Sequence, residues 1–200
     1  EPDLFDLSKP YFVGQKEVEA NLTKESLSKG KKDTFNFEVD ASKETKRTPL
    51  YEKHKEAGAK IAEFAGWEMP FWYSTIREEH RAVRQSAGLF DVGHMGVFEI
   101  NGKGAASFLD LATSNYVRWL KEGEAQYTYL LSPDGSVIDD GIVYRIEKNR
   151  FLMVVNAVNQ IKDWRWLNAV NSGEVVIDPE RPWVEPPEGA ELINLKGSQA

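Results

Sequence analysis

Residues 125–146 read "AQYTYLLSPDGSVIDDGIVYRI": two runs rich in Val, Ile, Leu, Tyr and Thr, joined by a Ser-Pro-Asp-Gly-Ser turn. β-Branched and aromatic side chains suit a pleated surface, and Asp-Gly supplies the positive φ that a tight hairpin needs. The stretch predicts an antiparallel hairpin, and with it a sheet. Side chains alternate along a strand. Ile138, Asp140, Ile142 and Tyr144 then share one face, and Asp139, Gly141, Val143 and Arg145 the other. Asp139, on the face of Arg145, is expected to be solvated. Asp140, in a row with two isoleucines and a tyrosine, is expected to be buried or to line a pocket. An acid there must be hydrogen-bonded, paired or raised in pKa. A pocket acid and an acid held by backbone amides in a core both fit the pattern. Two registers are open. A two-residue Asp-Gly turn puts Tyr127 and Tyr129 on the face of Asp140. A three-residue Pro133-Asp134-Gly135 loop with a bulge puts Thr128 and Leu130 there instead. The first arrangement, an acid ringed by aromatic faces, would suit a flat polar heterocycle.

Working outward, "RFLMVVN" (150–156) reads as a buried strand and "AVNQIKDWRWLNAV" (157–170) as an amphipathic helix carrying Ile161, Trp164 and Leu167. "GEVVI" and "AELINL" predict strands on either side of the Pro-rich "DPERPWVEPPEG". Upstream, "TPLYEKHKEAGAKIAEFAG" (48–66) predicts a helix capped by Thr48 with Pro49 at its first position, its stripe being Leu50, His54, Ala57, Ile61 and Phe64. "STIREEHRAVRQSAG" (74–88) predicts a second helix, capped by Ser74, and "GAASFLDLATSN" a third; between them "LFDVGHMGVFEING" reads as strand, Gly break and strand. Helices and strands interleave without regular βαβ repetition. The expected fold class is α+β, with mixed or antiparallel sheets and packed helices.

Residues 1–47 differ from this body. They mix Lys, Glu, Ser and Thr with few core-forming residues and read as a polar, partly disordered extension, its one apolar knot "KPYFVG" able to dock as a short strand. The chain of 200 residues carries a net charge of -7 and has no cysteine. No basic excess is available to neutralise phosphates, so a non-specific nucleic-acid binder is excluded. Disulfides, thiolate nucleophiles and Cys-based metal sites are excluded too. No apolar run approaches a membrane span and no export signal is visible, so a cytoplasmic protein is expected. His54, His80 and His94 are too dispersed for a local metal motif, and neither a phosphate-binding glycine loop nor a nucleophile elbow occurs. No metal site is expected.

"TPLYEKHKEAGAKIAEFAGWEMPFWYSTIREEHRAVRQSAGLFDVGHMG", "GEAQYTYLLSPDGSVIDDGIVYR" and "RFLMVVNAVNQIKDWRWL" resemble, in order and spacing, the T-protein of the glycine cleavage system, a tetrahydrofolate-dependent aminomethyltransferase. The resemblance runs from about Thr48 to the C-terminus. It implies a fold like the N-terminal folate-binding part of that family. It also implies transfer of a one-carbon unit from the aminomethyl-dihydrolipoyl arm of H-protein to tetrahydrofolate, with release of ammonia. The family's essential acid falls on Asp140, and its folate contacts on Met95, Tyr127, Tyr144 and Asn156. These positions favour the register with Tyr127 beside Asp140. Such a carboxylate would orient the folate nitrogen, handle its proton and stabilise developing positive charge, while the tyrosines position the ring.

The sequence departs from the family at Gly93 and Gly141, where Ser or Thr and Leu are usual, and in length. Residues 48–200 correspond to the first half or so of a family member, so an incomplete and inactive fragment is expected. A folate-dependent demethylase on the same fold is the neighbouring enzymatic alternative. A non-catalytic folate-binding relative is the third, and it would not need the acid of the strand.

Overall fold

The computed structural model describes residues 32–38, 45–182 and 184–195. The expectations for residues 1–31, including the "KPYFVG" knot, and for the last five residues lie outside them. The elements run β1 (Lys46–Arg47), α1 (Tyr51–Glu56), β2 (Lys60–Phe64), β3 (Trp67–Trp72), α2 (Ile76–Gln85), β4 (Gly96–Asn101) and α3 (Ala105–Ala112). They continue with β5 (Ala125–Leu131), β6 (Val137–Glu147), β7 (Arg150–Val155), α4 (Gln160–Ser172) and β8 (Glu191–Leu195). A three-stranded sheet has the order β1-β3-β2, and a five-stranded antiparallel sheet the order β5-β6-β7-β4-β8. The class is α+β, as expected.

The large sheet has one covered face. Leu130, Val143, Phe151, Met153, Val155, Phe98 and Ile100 point inward at period two and pack against Phe108 and Leu109 of α3 and Trp166, Leu167 and Val170 of α4. All of these side chains are at most 2% exposed. The stripe of α4 is therefore Asp163, Trp166, Leu167 and Val170. Of the expected stripe only Leu167 is in the core; Ile161 is exposed.

The helix expected over 48–66 is two elements. α1 stops because Gly58 takes a left-handed φ of +81°, its N–H donating to the Lys55 carbonyl while Ala59 N–H donates to that of His54. That reciprocal pair is a helix stop, and the chain reverses into β2, which pairs with β3. The helical spacing of Ile61 and Phe64 is coincidental. Pro70 is tolerated within β3 because β1 pairs only with Trp67 and Glu68, leaving that edge open at Pro70. The cap of α2 is Thr75, whose Oγ1 accepts from Glu78 N at 3.2 Å; Ser74 instead donates its N–H to Glu79. Residues 89–95 form no strand, and neither does "GEVVI", where Val175 makes a single bridge to Asp33.

That bridge belongs to a docked segment. Residues 32–38, part of the stretch read as a polar, partly disordered extension, lie against the body. Phe35 and Phe37 stack on Trp166 with ring centroids 5.3 and 5.4 Å away, and Lys32 donates to the Val184 carbonyl at 2.6 Å. Two aromatics suffice to hold a segment whose other residues are polar.

Candidate functional site

The hairpin of β5 and β6 decides the site. Its loop is the three-residue one: Ser132 N–H donates to the Ser136 carbonyl at 2.9 Å, with Gly135 at a φ of +84°. Leu131 accordingly pairs with Val137, yet the next pair is Leu130 with Asp139. Ile138 is the extra residue of a bulge. One inserted residue shifts the register by one, and that shift exchanges the faces of everything beyond it. Tyr129 is brought opposite Asp140, Tyr127 opposite Ile142 and Ala125 opposite Tyr144. The expected register is present, but it is built by a longer loop and a bulge.

The bulge also corrects the burial of the two acids. Ile138 and Asp139 are both buried, in succession, because alternation is suspended at the bulge. Asp139 points with Val143 toward the helices and is 4% exposed, so it is not the solvated acid. Arg145 is not its partner, since that guanidinium donates to the carbonyls of Leu120 and Lys148 and lies 5.5 Å from the Phe151 ring. Asp140 is only half-buried, on the outer face with Tyr127, Tyr129, Ile142 and Tyr144. It is a surface-facing acid among aromatics, not an enclosed one.

Asp139 is held by three donors. Asn156 N–H and Nδ2 reach its Oδ2 and Oδ1 at 3.2 and 2.9 Å, and Asn159 Nδ2 reaches Oδ1 at 2.7 Å. Burial pushes its carboxyl up, but the neighbouring Asp163 carboxyl and the hydrogen bonds from Asn156 and Asn159 outweigh that and hold it below the ordinary value. Asn156 Nδ2 also lies 3.1 Å from Asp140 Oδ1 and 3.1 Å from the Asp140 carbonyl. One amide thus ties both acids together. The Asp140 carboxylate, then burial and the Tyr129 hydroxyl, raise the Tyr127 phenol well above its usual range, so Tyr127 stays a neutral donor. The rings of Tyr127 and Tyr129 meet edge-to-face with centroids 5.4 Å apart.

Of the residues named from sequence, Asp140, Tyr127 and Asn156 come together directly. Tyr144 shares their face but stands four residues along β6, roughly 13 Å away at strand rise. Met95 directly precedes Gly96, which pairs with Val155 beside Asn156, and with Lys46, Trp67, Gln160, Ile161 and Trp164 it lines a cavity of about 750 Å³. Tyr129 belongs to the site by alternation from Tyr127. Asp163 carried a weaker signal, an acid three and four residues before Trp166 and Leu167 on the buried stripe of a helix, and Asn159 only its place just before that helix.

Residues 50–200 match the family model described as the GCVT N-terminal domain. The chain belongs to that family. Among its relatives, an aminomethyltransferase of Prosthecochloris aestuarii is 55% identical over 122 residues, 61% of this chain and 34% of that protein. One from Symbiobacterium thermophilum is 50% identical over 123 residues, 62% of this chain and 33% of that protein. The crystal structure of the glycine cleavage system aminomethyltransferase T from Bartonella henselae superposes with a TM-score of 0.64 at 34% identity, covering 78% of this chain and 41% of that one. The chain spans about a third of the length of these curated relatives.

In this GCVT-family chain the loop carrying Met95 is pinned to α1. Asp91 accepts from Thr48 Oγ1 at 2.6 Å and meets His54 Nε2 at 2.8 Å, while His54 Nδ1 meets the Tyr73 hydroxyl at 2.7 Å. His54 thus ties α1 to this loop and to Tyr73. Gly93, the first departure from the family pattern, donates its N–H to Asp91 Oδ1 at 2.8 Å. Gly141, the second, faces inward, where an added Cβ would lie 2.8 Å from the Val154 carbonyl. Lacking a side chain there tightens the strand pair and does not loosen the acid beside it. Among the described residues no group of His, Cys, Asp or Glu could hold a metal ion, and no helix is long and apolar enough to cross a membrane.

Proposed function

We propose that these residues supply the pterin-facing wall of a tetrahydrofolate-dependent aminomethyltransferase working with lipoylated H-protein of the glycine cleavage system. The observation that carries the reading is Asp140: an anchored, half-exposed carboxylate on a sheet face that also presents Tyr127, Tyr129 and Tyr144. The fit to a reduced pterin is chemical. The ring offers flat faces to the tyrosines and ring N–H groups to a carboxylate. Bound tetrahydrofolate would supply the nucleophilic nitrogen, the chemistry being largely its own.

The side chains then divide the remaining work. Asp140 orients that nitrogen, accepts or returns its proton at a carboxylate oxygen, and opposes positive charge developing as ammonia leaves. Asn156 holds the carboxylate against the strand end, so little reorganisation is needed at the moment of reaction. Tyr127 and Tyr129 keep the ring face apolar and water-poor. Met95, at the end of the Asp91-pinned loop, lines the neighbouring cavity and would bound another part of the ligand. On this reading the protein acts in the cytoplasm.

The test is ammonia release from aminomethylated H-protein and tetrahydrofolate, using the whole polypeptide that carries these residues. Asp140→Asn should lower the rate by about 10²–10⁴-fold, the usual worth of a positioned acid-base group. A rate within a few-fold of the parent would remove Asp140 from the mechanism.

A further inference from the structure

Asp163 is the most deeply placed acid among the described residues, at 0% exposure, and neither of its carboxyl oxygens has a hydrogen-bond donor there. An ionised carboxylate cannot be left so, because a buried charge without partners is prohibitively expensive. After burial, the group that acts on it most is another acid, Asp139, itself 4% exposed. Asp139 already receives three hydrogen bonds from Asn156 and Asn159, and these specify it as the ionised member. Two acceptors in contact are reconciled by one proton between them. That proton satisfies the otherwise orphaned Asp163 and supplies a fourth donor to Asp139.

We propose that Asp163 is a positioning residue: its carboxyl holds a proton shared with Asp139, and the pair fixes Asn156 and, through it, the carboxylate of Asp140. The chain of contacts is short. The proposed proton joins Asp163 to Asp139, Asp139 Oδ1 receives Asn156 Nδ2 at 2.9 Å, and the same Nδ2 reaches Asp140 Oδ1 at 3.1 Å. The helix end is secured from the other side, since Asp163 N–H donates to the Asn159 carbonyl and Lys162 Nζ donates to the Ile138 carbonyl at 2.8 Å, within the bulge. The charged groups acting on Asp163 are Asp139 and Asp140 from β6, which favour its neutral form, and Lys162 from α4, which opposes them. Burial is the largest influence and also favours the neutral form, so the carboxyl keeps its proton up to about pH 9. The value of such a device is that Asn156 has a single orientation at neutral pH, amide nitrogen toward both acids. The proposal rests on the reading of Asp140 as the working acid only for its purpose; the shared proton stands independently.

The experiment is a pH titration by nuclear magnetic resonance of the 200-residue chain with labelled Asp carboxyl carbons and Asn side-chain amides, on the parent and on Asp163→Asn. In the parent, one aspartate carboxyl should remain protonated through neutrality and titrate near pH 9, with the Asn156 amide signals moving at the same midpoint. Asp163→Asn keeps a donor toward Asp139, so its Asn156 signals should stay at the parent's neutral-pH positions and show no transition. Absence of a protonated aspartate at pH 7 would overturn the shared proton. Asn156 signals that ignore the transition, or that move in Asp163→Asn at neutral pH, would overturn the positioning role. No folate is present in these measurements, so failure of the proposed function, read from Asp140→Asn turnover, is a separate outcome.

Discussion

Tyr129 stands directly opposite Asp140 across the β5–β6 ladder, although the loop that joins the strands would by itself place Thr128 there. The difference is one residue, Ile138, bulged out of the pairing. Asp139 points inward, beneath the helices. Alternation gives the two adjacent acids opposite fates, one enclosed and hydrogen-bonded and one on the outer face, and the bulge sets that outer face against Tyr127 and Tyr129.

Those fates predict opposite mutational signatures. Asp139→Ala removes the acceptor for Asn156 N–H, Asn156 Nδ2 and Asn159 Nδ2 and should destabilise the chain by roughly 2–4 kcal/mol, since buried donors left unpaired cost about 1–3 kcal/mol each with partial relaxation. Asp140→Asn keeps the volume and one acceptor on a half-exposed site, and should change stability by no more than about 0.5 kcal/mol. Urea unfolding of both variants decides the matter. The reverse ranking would mean that the two acids had been assigned to the wrong faces.

How much of this was legible in the sequence can be read from the same elements. The hairpin, the buried strand 150–156 and the amphipathic helix after it follow from periodicity, which burial imposes directly. The face of Tyr127 and Asp140 was legible only as one of two registers, and the resemblance, not alternation, chose between them. What alternation could not show is a bulge, because Ile138 looks like any other strand residue. With Ile138 counted on the face of Asp140, Asp139 was expected to be solvated, whereas it is buried. The split of residues 48–66 into α1 and β2 was missed for a related reason: Gly58 stops the helix by its φ, while Ile61 and Phe64 continue the helical spacing by chance. The cluster of Thr48, His54, Tyr73 and Asp91 joins residues far apart in the chain, and no local pattern announces it.

The helix stop at Gly58 is itself testable. Its Cβ direction is open space, with nothing within 4 Å, so Gly58→Ala meets no clash and only the left-handed φ opposes it. The substitution should cost about 1 kcal/mol, read as a lower urea midpoint at unchanged slope. A neutral or stabilising result would mean that α1 runs on past residue 57.

Docking of residues 32–38 depends on Phe35 and Phe37. Both are half-buried and both meet Trp166, so Phe35→Ala and Phe37→Ala should each cost about 1–3 kcal/mol, less than a fully buried aromatic. The two rings also touch each other, at 4.8 Å between centroids, so the double variant should lose less than the sum of the singles. Strict additivity in the cycle would mean that the two rings act independently.

The pH dependence of stability follows from Asp163 with a definite sign. Its carboxyl is raised from the ordinary 3.8 to about 9 by burial and by Asp139, so the native state keeps a proton that the unfolded chain has lost across that interval. The contribution of this group to stability is complete below about pH 3.8, is lost progressively as pH rises, and stops changing above about pH 9. Asp139, held below the ordinary value, acts in the opposite sense at the acid end: its contribution is present above the ordinary carboxylate range and is lost as pH falls through its native value. Asp163→Asn keeps a donor and cannot ionise, so it removes the loss on the alkaline side alone. Parent and variant should unfold at similar urea concentrations near pH 4, and the variant should gain steadily to pH 9, by on the order of a few kcal/mol at neutrality. An Asp163→Asn chain whose advantage does not grow between pH 5 and pH 8 would mean that Asp163 is already ionised there, its charge met by groups other than Asp139.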